Sequence, residues 1–209
     1  SSTEDLDDDN DGVTDASDSC SSGEIGWTSI QATTDHDEDG CQDSSEDLDD
    51  DGDGVLDLFP DLCRTGDLGW TSNPSNDYDG DGCQDATEDD DKDNDGVDDD
   101  DDDCPAGNTG WISDSVGPPV TDNDEDGCQD SSSEDTDDDN DGVTDSSDAC
   151  QAGDIGWTST LITDFDTDGC QDSSTEDLDD DNDGVFDTSD SCHFGDLGWT
   201  STTLTDYDS

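Results

Sequence analysis

The sequence predicts an irregular fold with almost no helix or strand, an elongated tandem array of Asp-rich loops stapled by disulfides. Three observations predict it. Leu, Ile, Val and Phe make up about 12% of the 209 residues, below the roughly 20% under which a charged chain fails to bury enough apolar surface to offset the entropy of ordering. A unit of about 43 residues recurs along the chain, the mark of an architecture in which each copy leans on its neighbours. Nine cysteines fall at regular places in that unit, a disulfide framework of the kind that persists in oxidising surroundings.

The charge balance narrows the partners. Sixty-nine acidic residues against two basic ones give a net charge of -67. Duplex nucleic acid is excluded, because only Arg64 and Lys92 are available to neutralise phosphate. Cations are the expected partners. The longest apolar stretches, such as Val55-Leu56 and Leu58-Phe59, are far too short to cross a bilayer or act as a signal peptide, so no membrane contact is expected within these residues. The expected location is extracellular or at the cell surface.

The repeat is marked by Gly-Trp at Trp27, Trp70, Trp111, Trp157 and Trp199, and by Gly-Cys-Gln-Asp at Cys41, Cys83, Cys128 and Cys170. The expected divisions are a partial repeat 1 at 1-34, then repeats at 35-76, 77-121, 122-163 and 164-205, with the start of a further, truncated repeat at 206-209. No window carries helical periodicity, and Gly, Asp, Asn and Ser recur as in consecutive turns.

Each unit holds two versions of one loop. In the first, Asp7, Asp9, Asp11, Asp15 and Asp18 occupy positions 1, 3, 5, 9 and 12, with Gly12 at position 6, which is the ligand spacing of an EF-hand calcium loop. Alternate carboxylates converge on one ion, the glycine permits a sharp turn, and the carbonyl of Val13 supplies a further oxygen. The second copy has Asp49, Asp51, Asp53, Val55 and Asp57, with Pro60 at position 12 and Asp61 one later, so it is expected to close differently. The third has Asp91, Asp93, Asp95, Val97, Asp99 and Asp102; the fourth Asp137, Asp139, Asp141, Val143, Asp145 and Asp148; the fifth Asp179, Asp181, Asp183, Val185, Asp187 and Asp190.

The second version places a cysteine at position 7, whose carbonyl is the expected ligand, and a Glu at the end. Its copies are Asp35, Asp37, Asp39, Cys41, Asp43 and Glu46; Asp77, Asp79, Asp81, Cys83, Asp85 and Glu88; Asp122, Asp124, Asp126, Cys128, Asp130 and Glu134; and Asp164, Asp166, Asp168, Cys170, Asp172 and Glu176. Each Glu lies three residues before the next first-version loop, where a shared carboxylate bridges neighbouring ions. A solvated acidic surface has no reason to keep nine loops in phase with Gly at position 6. The expected cofactor is calcium, a hard cation taking 6 to 8 oxygens, at about two or more ions per repeat.

These loops resemble the thrombospondin type 3 repeat, whose motif Asp-x-Asp-x-Asp-Gly-x-x-Asp-x-x-Asp-x-Cys is matched by every first-version loop but the second. The chain is also similar to acidic repeat regions of long exported proteins of marine archaea and bacteria. The resemblance covers the chain apart from the Gly-Trp inserts. It implies a chain wrapped around rows of calcium ions, with disulfides linking neighbouring loops. Cys at position 7 and the Gly-x-x-Gly-Trp insert, as in Gly23 to Trp27, depart from that family.

Each cysteine has two sequential partners available. One pairing crosses the Trp insert and joins Cys20 with Cys41, Cys63 with Cys83, Cys104 with Cys128 and Cys150 with Cys170, leaving Cys192 to a Cys beyond residue 209. The other crosses a loop that ions already organise. The first is preferred, since the insert has no ion of its own, and closing about 20 residues contributes roughly 3 kcal/mol per bridge. In the insert a miniature core is expected from the Trp, the disulfide, the loop Val and an aliphatic such as Ile25, Leu68, Ile155 or Leu197. Thr28, Thr71, Thr158 and Thr200 are candidate acceptors of O-linked glycan, while the sequon at Asn73 is blocked by Pro74.

Catalysis is not expected: His36 and His193 fall at non-equivalent places, and no nucleophile and base recur together. The expected role is structural, a rigid stalk or filament continuing as further copies of the repeat; the alternative is adhesion or attachment to calcium mineral.

Overall fold

A computed structural model describes residues 5-202, 204 and 205 of the chain. The expected start of a further repeat at 206-209 and the first four residues of repeat 1 lie outside the described residues. Among the described residues there is no helix and no strand, only turns and bends, as the composition predicts. The chain divides into two compact units, Ser1–Asn94 and Asp95–Ser209, and the same construction recurs within each.

The loops share one backbone course. Position 6 is always a glycine with positive φ, from Gly12 at 103° to Gly184 at 93°. Position 4 is also left-handed in all copies, occupied by Asn10, Glu38, Gly52, Gly80, Asn94, Glu125, Asn140, Thr167 and Asn182 with φ between 53° and 79°. Asn and Gly tolerate that region at low cost, whereas Glu and Thr do not. Their presence means that the loop imposes the conformation.

Outside the third first-version loop, position 9 closes the loops from both sides. Its N–H donates to the carbonyl preceding position 1, as Asp15 does to Leu6 at 2.9 Å and Asp57 to Leu48 at 3.0 Å. Its carboxylate accepts the N–H of position 2, as in Asp8 to Asp15, His36 to Asp43, Asp138 to Asp145 and Asp180 to Asp187, at 2.9 to 3.0 Å.

Disulfides join Cys20 with Cys41, Cys63 with Cys83, Cys104 with Cys128 and Cys150 with Cys170, the pairing across the insert. Beside them run the backbone hydrogen bonds Ser19 to Asp39 (2.7 Å), Leu62 to Asp81 (2.8 Å), Asp103 to Asp126 (2.8 Å) and Ala149 to Asp168 (2.7 Å). Each staple therefore ties the end of a first-version loop to the middle of a second-version loop. Cys192 is exposed and unbridged within the chain.

Among the described residues the buried apolar side chains are Cys41, Cys83, Cys128 and Cys170, and the buried polar ones are all aspartates. The miniature apolar core does not form as expected. Ile25 is 80% exposed and Ile155 54%, and the glycine between the aliphatic and each Trp takes a positive φ, as Gly26 does at 95°. The tryptophans are half-buried, and Trp27 and Trp111 donate their ring N–H to the carbonyls of Glu24 and Asn108 at 2.7 and 2.6 Å.

Where the insert meets the loops, contact is too close for any side chain. A Cβ on Gly153 would lie 2.8 Å from the Cys150 carbonyl oxygen and 2.9 Å from Asp139 Oδ2, and closer still to Glu176 Oε1. Gly153→Ala is expected to cost about 1 to 3 kcal/mol through that overpacking. Denaturant unfolding at fixed ionic composition checks it, and a loss below about 0.5 kcal/mol, the range of neutral surface changes, would contradict the close approach.

Candidate metal centres

In the first-version loops the backbone takes one oxygen of the key carboxylates and leaves the other facing inward. The position 7 N–H donates to position 5, as Val13 to Asp11 (2.7 Å), Val55 to Asp53 (2.6 Å), Val97 to Asp95 (2.8 Å), Val143 to Asp141 (2.6 Å) and Val185 to Asp183 (2.8 Å). The cysteine N–H two residues after position 12 donates to Asp18 (2.7 Å), Asp102 (2.5 Å), Asp148 (2.6 Å) and Asp190 (2.7 Å). The remaining oxygens are buried and accept no hydrogen bond: Oδ1 of Asp7, Oδ2 of Asp11 and Oδ2 of Asp18 in the first copy, with their counterparts on Asp49, Asp53 and Asp61 and on Asp137, Asp141 and Asp148. In the first, second and fourth copies positions 1, 5 and 12 thus present stripped anionic oxygens to a common interior.

Position 3 serves a different end. One oxygen of Asp9, Asp51, Asp139 and Asp181 accepts the N–H of an insert glycine, Gly23, Gly66, Gly153 and Gly195, at 2.7 to 3.1 Å. The terminal Glu joins it there. Oε1 of Glu46, Glu88, Glu134 and Glu176 accepts the N–H of the next insert residue at 2.6 Å, while Glu46 Oε2 is buried without a partner. The Glu reaches back across the disulfide to the preceding first-version loop, rather than forward to the following one as sequence adjacency implies.

The second copy closes like the others, contrary to the expectation drawn from Pro60. Asp61 accepts the Cys63 N–H at 2.8 Å and faces Gly82 as Asp18 faces Gly40. The extra residue is taken up in the turn through Phe59, whose φ is 22°.

Second-version loops are satisfied more fully by the protein itself. Asp35 accepts from the N–H of Asp39 and Gly40 and from the Ser29 hydroxyl, at 3.1, 3.1 and 2.6 Å. Asn94, Asn140 and Asn182 donate side-chain amide hydrogens to the position 3 and 5 carboxylates of the preceding loop, reaching Asp81, Asp126 and Asp168 at 2.9 to 3.0 Å. The groups Asp35-Asp37-Asp39 and Asp77-Asp79-Asp81 nonetheless bring their oxygens within 4.8 Å of one another, as do Asp7-Asp9-Asp11, Asp49-Asp51-Asp53 and Asp43-Asp47-Asp50. The last includes Asp47 and Asp50, which the twelve-residue spacing does not single out.

All these donors are hard oxygens of negative charge, the set that suits divalent cations of the calcium and magnesium type. A scan against protein-family models and a search of curated proteins find no match to this chain. The site therefore rests on its own geometry: Asp-rich clusters fit to hold metal ions, set in a disulfide-stapled irregular repeat.

Without a cation the clusters resist ionisation. Burial, reinforced by neighbouring carboxylates, pushes Asp53, Asp61, Asp139 and Asp148 up to about 6, and Asp124 and Asp166 up to about 7. From the ordinary value of 3.8 up to these values, the ion-free fold holds protons that the unfolded chain has released. Its stability therefore falls as pH rises through about 4 to 7. A bound cation competes with those protons, depresses the folded values and reverses the sign. Melting followed by Trp fluorescence is expected to show stability decreasing with pH over this window in chelator, whereas in millimolar calcium, used as the probe cation, that decrease is lost and stability instead rises with pH below about pH 4. Parallel trends in both buffers would contradict the inward carboxylates as a cation site.

Proposed function

We propose that this chain is a calcium-stabilised extracellular structural protein, a rigid stalk or filament of tandem repeats of the thrombospondin type 3 kind. The observation that carries this reading is the set of buried carboxylate oxygens at positions 1, 5 and 12 of the first, second and fourth first-version loops, which accept no hydrogen bond. A neutral water offers two protons and no charge to such a set. Calcium suits it better than magnesium, because oxygens gathered within 4.8 Å match opposite sides of a shell about 2.4 Å in radius, and because magnesium keeps its waters.

The structural role follows from how repeats are joined. Within each unit, contacts pass from a second-version loop to the next insert, in His36 Nε2 with the Gly66 carbonyl oxygen at 3.0 Å, Asn123 with Gly153 at 3.4 Å, and the rings of Phe165 and Phe194 at 5.3 Å. Units bound only to their neighbours build quasi-one-dimensional objects, and further copies of the same repeat are the natural partners. The four disulfides support an oxidising, extracellular location. No helix among the described residues is long and apolar enough to cross a membrane. Thr28, Thr71, Thr158 and Thr200 are exposed and remain the proposed acceptors for O-linked glycan.

One observation favours adhesion as a second reading: the insert aliphatics Ile25 and Ile155, with Leu161 and Ile162 beside them, stand exposed.

Calcium is expected to control folding. At free calcium 10 to 100 times the dissociation constant, each site contributes about 1.4 to 2.7 kcal/mol by mass action, so several sites together reach the stability of a whole domain. Excess chelator is expected to convert the chain to an expanded polyanion held only by its disulfides. Circular dichroism and small-angle scattering read the change, and profiles indifferent to chelator would rule the reading out.

A further inference from the structure

A second kind of carboxylate cluster lies where each second-version loop hands over to the next first-version loop. Asp43, Asp47 and Asp50 bring one oxygen each within 4.8 Å of one another. Asp130, Asp135 and Asp138 occupy the same places in the fourth repeat, and Asp172, Asp177 and Asp180 in the fifth. Asp47, Asp135 and Asp177 each hold one oxygen on the N–H of the residue two along, at 2.9 to 3.0 Å. Their other oxygen is buried without a partner, as is Oδ1 of Asp50, Asp138 and Asp180. Asp135 and Asp177 are 7% exposed and Asp180 4%, so these stripped oxygens are out of reach of bulk water.

The electrostatic surroundings repeat as closely as the positions do. The carboxylates acting most strongly on Asp50 are Asp57, Asp43 and Asp47; on Asp138 they are Asp145, Asp130 and Asp135; on Asp180 they are Asp187, Asp172 and Asp177. No Arg, Lys or His is among the strongest influences on any of the three.

The third repeat breaks the pattern at one place. Asp85 and Asp89 are kept, with Asp89 again holding one oxygen on the Asp91 N–H at 3.0 Å and the other buried without a partner. The residue standing where the others have Asp50, Asp138 or Asp180 is Lys92, the one lysine of the chain, and it is half-buried.

We propose that these loop junctions form a second class of divalent-cation site, separate from the twelve-residue loops, and that Lys92 disables the one in the third repeat. Two carboxylates and an ammonium leave too little negative charge to outcompete water for a divalent ion, and the ammonium repels it. Asp85 and Asp89 are the preformed remainder of a site that a single substitution restores. This inference rests on the reading of the chain as a calcium binder.

Native mass spectrometry of the intact, oxidised 209-residue chain, loaded with calcium alone, counts the ions directly. Lys92→Asp is expected to carry one calcium more than the wild type, and Asp138→Lys one fewer, with disulfides and circular dichroism unchanged. An unchanged count in either folded variant overturns the junction sites while leaving the loop sites standing. A wild-type chain that retains no calcium overturns both. Should Lys92→Asp fail to fold, Asp138→Lys decides the matter alone: a full wild-type count in it refutes the proposal.

Discussion

Like charge packed into an interior is the constraint on which everything else in this molecule depends. Two carboxylates about 5 Å apart repel by about 3 kcal/mol at an effective dielectric of about 20, and the buried polar groups of this fold are aspartates throughout. An apolar core is absent in the ordinary sense, because the sequence lacks the residues for one. What replaces it is a set of anionic cavities whose walls attract cations and whose backbone holds the carboxylates apart. On the proposed reading, folding and ion binding are a single equilibrium, with the ions supplying the cohesion that apolar burial supplies elsewhere.

The backbone details serve that arrangement. Left-handed residues at positions 4 and 6 turn successive N–H groups inward, where each fixes one carboxylate oxygen and thereby aims the other. The clamp at position 9 sets the circumference of the loop. Glycines at the insert, such as Gly66 with the Cys63 carbonyl oxygen 2.8 Å from where its Cβ would be, let the returning Glu and the position 3 Asp approach the same stretch of chain. The disulfide lies at that convergence, so it ties together two loops that ions would otherwise have to hold against their mutual repulsion.

Much of this was legible in the sequence, and the residues show why. Alternate Asp with Gly at position 6 is a local pattern, and local patterns survive into the fold unchanged. The cysteine pairing followed from asking which segment lacked an ion. The direction of Glu46 was not legible, because it depends on the insert folding back through Gly23. Nor were Asp47, Asp50, Asp135, Asp138, Asp177 and Asp180, whose cluster forms between loops and has no spacing of its own. At Asp61 a one-residue insertion breaks the twelve-residue count, yet the turn at Phe59 absorbs it. The insert aliphatics differ in the opposite way: a nearby Trp invites an apolar contact, yet Ile25 and Ile155 stand exposed.

The central claim is that the stripped oxygens face ions, and the most direct measurement is a crystal structure grown in calcium with anomalous difference maps. The account expects a peak inside each first-version loop within about 2.3 to 2.6 Å of the inward oxygens, those of Asp137, Asp141 and Asp148 among them. Peaks confined to the outer surface, or interiors filled by water alone, would contradict it.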